Sequence, residues 1–280
     1  MKRTAFTLIE LLVVTATILL LMSLTAVAVS SARSSQRRNQ TRVTISKINE
    51  VLTSQWRTYP SQSVSLPDNL PTKRDGNGNE EPWTLDEYKR CYRITGDMPP
   101  NWNDVQVIAT NSSGQFKTKA QKTYRQFWNQ QTQTPTDQYA DGECLFLTVM
   151  YGGFAGCLDC AGLRSGKDFK DVDGDGFQEF VDAWGNPLGF VLWPAGLATP
   201  DGNLFFSNGD NSSDTLTYEL RPLVFSAGPN GAYGIDVGAS SNLNKLQNCG
   251  LPSANTSLGS VLNSSDAADN LTNFDAEFRR

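Results

Sequence analysis

The run Leu11–Val29 constrains this chain more than any other part of its sequence. It holds 19 residues without a charge, interrupted only by the small hydroxyls Thr15, Thr17, Ser23 and Thr25. Such hydroxyls bond back to a carbonyl of the preceding turn, by the usual pattern the one four residues earlier, and so leave no unsatisfied group in lipid. At ~1.5 Å of rise per residue the run makes a helix about 28 Å long, against a bilayer core of ~30 Å. The expectation is a single membrane crossing.

Three readings fit this segment. Lys2 and Arg3 ahead of the run, with Ala26-Val27-Ala28 at its end, suit a secretory signal cut after Ala28. A passive single-span anchor suits it equally. Neither makes use of Glu10, a carboxylate at the mouth of the run, where inserting a charge costs about 1–3 kcal/mol depending on depth. The third reading starts from that residue.

Ala5-Phe6-Thr7-Leu8-Ile9-Glu10-Leu11-Leu12-Val13-Val14 resembles the processing signal of type IV pilins and type II secretion pseudopilins. The resemblance implies that a membrane prepilin peptidase cuts between Ala5 and Phe6 and methylates the new amino terminus at Phe6. The family usually has Gly where this chain has Ala5, a residue still small enough for a tight protease subsite. Glu10 then becomes the fifth residue of the mature chain. Among packed membrane helices its carboxylate is tolerable only beside a cation, and the cation at that depth is the amine of Phe6. The resemblance places that pairing between neighbouring subunits of a filament, with Glu10 setting the axial register of assembly; a pair within one chain is the alternative.

Helical spacing continues past Val29. Arg33 with Arg37 and Arg38 with Arg42 stand four apart, and Ile45, Ile48, Leu52 and Gln55-Trp56 recur on one face. Pro60 is the next strong breaker, so the spacing predicts one helix from about Phe6 to Thr58. Its first half is apolar all round, and its second half is patterned to pack against a head. The bases near the run favour a cytoplasmic head by the positive-inside rule, whereas the resemblance requires a cytoplasmic leader and a head outside the cytoplasm; the second is the expectation adopted.

Residues 60–142 read as a polar, aromatic region decorating the head, with turn signals at Pro67-Asp68, Asp75-Gly76-Asn77-Gly78 and Pro99-Pro100 and short helices at Leu85–Tyr92 and Lys119–Asn129. Glu143–Met150 reads as a buried helix. Strands are predicted over Phe180–Trp184, Leu188–Trp193, Leu216–Arg221 and Pro222–Ala227. Residues 143–280 would form the rest of the head, giving an α+β chain in which an antiparallel sheet is set against the long helix.

The sharpest local chemistry lies at Asp171–Asp182. Asp171, Asp173, Asp175, Glu179 and Asp182 occupy positions 1, 3, 5, 9 and 12 of an EF-hand-type loop, with Gly176 at position 6 and the Phe177 carbonyl at position 7. This spacing predicts Ca²⁺ as a cofactor, although position 12 is Asp rather than the longer Glu and a strand pattern follows where an EF-hand has a helix. The competing reading is a solvated acidic turn beside Lys167 and Lys170. Asp182-Ala183-Trp184-Gly185-Asn186-Pro187 is similar to a turn signature in major pseudopilins. Ser226-Ala227-Gly228-Pro229-Asn230-Gly231 with Asp236 is similar to that family's late ion-binding loop, which makes Ser226, Asn230 and Asp236 a possible second ion site.

Composition narrows the function classes. There is no histidine, which excludes Ser-His-Asp and Cys-His catalysis and imidazole metal sites; an enzymatic role is not expected. The net charge of −5 conceals a basic stalk, with eight basic and two acidic groups in residues 1–59, and an acidic head with 16 and 27. Such a head argues against a nucleic-acid partner. Five cysteines allow two bridges with one left over in an oxidising compartment, and Cys157-Leu158-Asp159-Cys160 is the candidate for a local disulfide. The resemblance implies a filament subunit that partners itself or other pilin-like subunits, the prepilin peptidase and an inner-membrane assembly platform. It also implies a single-pass inner-membrane location before assembly. The alternative is a membrane-anchored or secreted calcium-binding ectodomain.

Overall fold

The computed structural model describes residues 8–59, 72–74, 80–82, 94, 96–110, 118–153, 162–163, 167–192, 194, 221–237 and 258–274. Ala5, Phe6, the CxxC pair Cys157 and Cys160, the predicted helix at 85–92 and most of the strand predicted at 216–221 lie outside them.

The chain begins with α1, Leu8–Trp56, one unbroken helix of 49 residues and so about 73 Å long. Every residue from Leu8 to Arg37 is exposed, including Leu8 at 83%, Ile9 at 68% and Val27 at 69%. Thr15, Thr17, Ser23 and Thr25 each donate to the carbonyl three residues back, at 2.8–3.0 Å, rather than the one four back. Among the described residues α1 is the one helix long and apolar enough to cross a membrane, and none of its apolar window is covered by the head.

Burial begins at Thr41 and recurs at Thr44, Ile45, Ile48, Val51 and Leu52, spacings of three and four that form one stripe of the helix. α2 (Trp102–Thr110) and α3 (Lys119–Gln130) pack on each other, and α3 packs on α4 (Ala140–Tyr151). α4 and a small sheet lie against the stripe, and all of these elements share one hydrophobic core. Thr118 caps α3 through a reciprocal pair of bonds with Gln121. Val105, Ile108, Ala120 and Tyr124 sit in the same cluster as Ile45 and Ile48. The region expected to decorate the head therefore helps to build its core. The helix predicted at 143–150 is buried as its apolar sequence requires, with Cys144 inside it.

The strands are short and antiparallel: β1 (Thr72–Arg74) with β2 (Glu80–Pro82), β3 (Phe169–Lys170) with β4 (Glu179–Phe180), and a sheet in the order β5 (Leu188–Val191), β6 (Leu223–Ser226), β7 (Leu271–Thr272). In that sheet Leu188, Phe190 and Val224 face α1 and α4, while Val191, Leu223 and Phe225 face a second cluster with Ile235, Leu258 and Phe274. Covered on both faces, β5 and β6 are apolar throughout apart from Gly189 and Ser226. Gly189 lies opposite Phe225, and a Cβ there would stand 2.3 Å from the ring, so the position has room only for glycine.

The strand predicted at Phe180–Trp184 is shorter than expected, because Asp182 starts a turn. Its Oδ1 accepts from the backbone N–H groups of Trp184 and Asn186, both at 2.9 Å, and Gly185 follows at φ 97°. Ala183 N–H then donates to Thr41 Oγ at 3.0 Å, which fixes this turn to α1.

Candidate metal centre

Between β3 and β4 the chain makes the acidic loop. Asp171 accepts from Gly174 N–H at 2.6 Å with Oδ1 and from Gly176 N–H at 3.0 Å with Oδ2, so both its oxygens brace the loop. Asp173 Oδ1 accepts from Asp175 N–H, and Asp175 Oδ1 accepts from Phe177 N–H at 2.9 Å. Gly176, at φ 96°, lies directly under Gln133: a Cβ would fall 1.6 Å from its Oε1. The segment joining α3 to α4 thus crosses the loop, where the Thr136 hydroxyl donates to Asp173 Oδ2 and its N–H donates to Asp175 Oδ2 at 2.6 Å.

One carboxylate oxygen from each of Asp173, Asp175, Glu179 and Glu143 lies within 4.8 Å of the other three. That spread fits around a single ion with oxygen bonds of about 2.3–2.6 Å. Three of the four were predicted from the loop spacing. Glu143 was not: it projects from the first turn of α4, thirty residues earlier in the chain. One sequence signal marks it, a carboxylate opening the run Glu143–Met150 that otherwise reads as buried. Gly142 lets this turn sit close to the sheet, since a Cβ there would meet the Leu188 carbonyl at 2.8 Å and the Glu179 side chain at 3.8 Å.

Glu143 and Glu179 are almost wholly buried, at 1% and 0% exposure. Each has one oxygen committed, Glu143 Oε2 to the indole N–H of Trp102 and Glu179 Oε2 to Val172 N–H at 3.0 Å. The other oxygen of each has no donor from outside this pair of carboxyls. Burial, helped by the neighbouring aspartates, pushes the Glu143 carboxyl up to about 9 against the pull of the Trp102 bond. Burial likewise raises Glu179 to about 7, although the Val172 N–H and a hydrogen bond between the two carboxyls oppose the rise. Two orphaned, buried carboxylate oxygens among four acids form a donor set suited to a hard cation.

Two residues predicted as ligands, Asp171 and Asp182, are not among the four acids that cluster. Asp171 braces the loop, and Asp182 lies outside the four-acid cluster. Asp182 Oδ2 accepts from Ser226 Oγ at 2.7 Å and from Asn186 Nδ2 at 3.3 Å, so both of its oxygens already have donors. Phe177 lies beside the cluster with its ring 4.6 Å from that of Trp102. The residues of the possible second ion site hydrogen-bond within the protein. Ser226 joins Asp182, while Asn230 Nδ2 donates to the Asp266 carbonyl and its Oδ1 accepts from Ala232 N–H. Asp236 N–H donates to the Ser260 carbonyl. Asn186 Nδ2 donates to the Gly228 carbonyl at 2.9 Å, so the Asp182 turn and the Ser226–Gly231 loop meet in one hydrogen-bonded network. Glu10 stands exposed in the first turn of α1.

These features define an α+β head on a long apolar helix, with an acidic cluster that can hold a metal ion. No family model, curated protein or solved structure matches the chain.

Proposed function

We propose that this protein is a structural subunit of a pilin-like filament, of the type IV pilus or type II secretion pseudopilus kind. The observation that carries the reading is the division of α1: one helix, exposed and apolar from Leu8 to Val29, that joins the core of the head from Thr41 onward. A lone soluble domain has no use for so much uncovered apolar surface, whereas a bilayer and then neighbouring helices would cover it. The likeness of residues 5–14 to a prepilin signal supports the same reading, as does the meeting of the Asp182 turn with the Ser226 loop. In this scheme the leader ends at Ala5, Phe6 carries the methylated amine, and Glu10 pairs with the Phe6 amine of a neighbouring subunit. The head lies outside the cytoplasm, and Ca²⁺ in the acidic cluster braces it. The partners are other pilin-like subunits, the prepilin peptidase and the assembly platform. The chain does no catalysis of its own.

Intact mass spectrometry of the mature chain tests this directly. An N-terminus at Phe6 bearing one methyl group is the expected result, with Glu10→Ala processed normally yet failing to assemble. An N-terminus at residue 29 would establish a secreted protein instead, and an intact Met1 a passive anchor.

A further inference from the structure

The acidic loop departs from an EF-hand at its last position, and the structure offers a replacement from elsewhere in the chain. We infer that the head's cation site is composite: Glu143 of α4 supplies the ligand that the Asp171–Asp182 loop lacks, so that binding one divalent cation joins the loop to the helical layer.

Three observations converge on this. Glu143 shares the cluster with Asp173, Asp175 and Glu179, and Asp182 does not. Glu143 Oε1 and, from the loop side, Glu179 Oε1 are buried with no donor from outside this pair of carboxyls. Glu143 is also held in position from behind, because its Oε2 receives the indole N–H of Trp102, whose ring stacks with Phe127 and Trp128 of α3. A ligand oriented in this way by a second group is the usual arrangement around a bound metal. The donors are all oxygen and carry four formal charges, which selects a hard cation such as Ca²⁺ over softer metals. In an EF-hand the cation links two helices adjacent in sequence. Here it would link the β3–β4 loop to α4, and through Trp102 to α2 and α3.

The inference rests on the reading that the head binds calcium, and the test separates the two. The full chain in detergent micelles, stripped of metal, is titrated with CaCl₂ by isothermal titration calorimetry as wild type, Glu143→Gln, Glu143→Asp and Asp182→Asn. Near-ultraviolet circular dichroism checks that each variant is folded. The expected result is one ion per wild-type chain, with affinity at least about tenfold weaker in Glu143→Gln. Asp182→Asn should stay within about twofold of wild type, because Asp182 lies outside the four-acid cluster. Gln keeps an acceptor for Trp102, so loss of the charge is what the measurement reads. If Glu143→Gln does not fold, Glu143→Asp, which keeps the charge but is one methylene short, should still bind more weakly than wild type. Wild-type affinity in both Glu143 variants, or an equal loss in Asp182→Asn, would return the site to an EF-hand-like loop and overturn the inference. Absence of heat in the wild type would remove the calcium reading itself.

Discussion

Two acidic turns follow one another within twelve residues, and they use their carboxylates in opposite ways. At Asp182 both oxygens are occupied by donors from Trp184, Asn186 and Ser226, so this aspartate is complete within the protein. At Asp173, Asp175, Glu179 and Glu143 four carboxylates crowd together, and two buried oxygens, of Glu143 and Glu179, are left with no donor from outside that pair. In the sequence Asp173, Asp175, Glu179 and Asp182 read as equivalent ligand positions of one loop. What distinguishes Asp182 from Glu143 and Glu179 is the supply of N–H and O–H groups, which the spacing of acids does not encode; Asp173 and Asp175 share the cluster yet have donors on both oxygens. The buried glutamates Glu143 and Glu179, which folding leaves short of donors, are the members of the cluster that most need a cation.

The strongest way to break this contrast is to remove the completed turn. Asp182→Ala deletes an acceptor serving two backbone N–H groups, an amide and a buried hydroxyl, and should cost about 2–4 kcal/mol of head stability. The loss should be the same with calcium or with chelator. In the wild type, by contrast, calcium at a hundred times its Kd should add about 2.7 kcal/mol over the chelated protein. Thermal unfolding of the full chain under both conditions separates the effects. An Asp182→Ala protein that lost its calcium response would show that the two turns are one site.

How much of this was legible in the sequence follows the range of the interactions. The exposed half of α1 follows from Leu11–Val29 alone, because an uncharged run of that length has few other solutions. The packed half follows from the spacing of Ile45, Ile48 and Leu52, although Thr41 and Thr44 do not announce themselves. They are buried where residues distant in sequence meet them: Ala183 N–H donates to the Thr41 hydroxyl, and the Thr44 hydroxyl donates to Asp168 Oδ1. The core role of α2 and α3 was obscured by polar surroundings: Trp102, Val105 and Tyr124 are each flanked by polar residues, and they matter only once the helices join the core that also holds Ile45 and Ile48. The loop half of the candidate site was legible in its spacing. The helical half was not, because Glu143 reaches Glu179 only through the close packing allowed at Gly142.

The two turns should also differ in their response to pH. Without a cation, burial holds the Glu143 and Glu179 carboxyls above the ordinary glutamate value of 4.5. Between pH 4.5 and about 7 for Glu179, and up to about 9 for Glu143, the folded head keeps protons that the unfolded chain has released. Stability of the chelated protein therefore falls as pH rises through that window, at up to about 1.4 kcal/mol per pH unit for each proton. Calcium displaces those protons, so its stabilising effect should grow with pH over the same range. Glu143→Gln should flatten the chelated curve above pH 7, whereas Asp182→Asn should leave its slope unchanged. Denaturant melts at several pH values in chelator check this; a chelated wild type with no fall in stability above pH 5 would mean that the four acids find partners without a cation.

The smallest expected effect sharpens the contrast at Thr136, which lies in the connection between α3 and α4. Its backbone N–H and hydroxyl each orient one aspartate of the cluster, so it does for Asp175 and Asp173 what Trp102 does for Glu143. The site is exposed, and the net value of such a hydroxyl bond is about 1 kcal/mol, or roughly fivefold in affinity. Thr136→Val keeps the N–H and removes the hydroxyl, and should weaken calcium binding by that factor; Thr136→Ser should restore it. Binding unchanged in the Val variant would mean that the connection merely passes over the loop beside Gln133. A graded loss, small at Thr136 and large at Glu143, would follow from a site whose ligands come from the loop and α4 and whose aspartates are steadied by the segment leading into that helix.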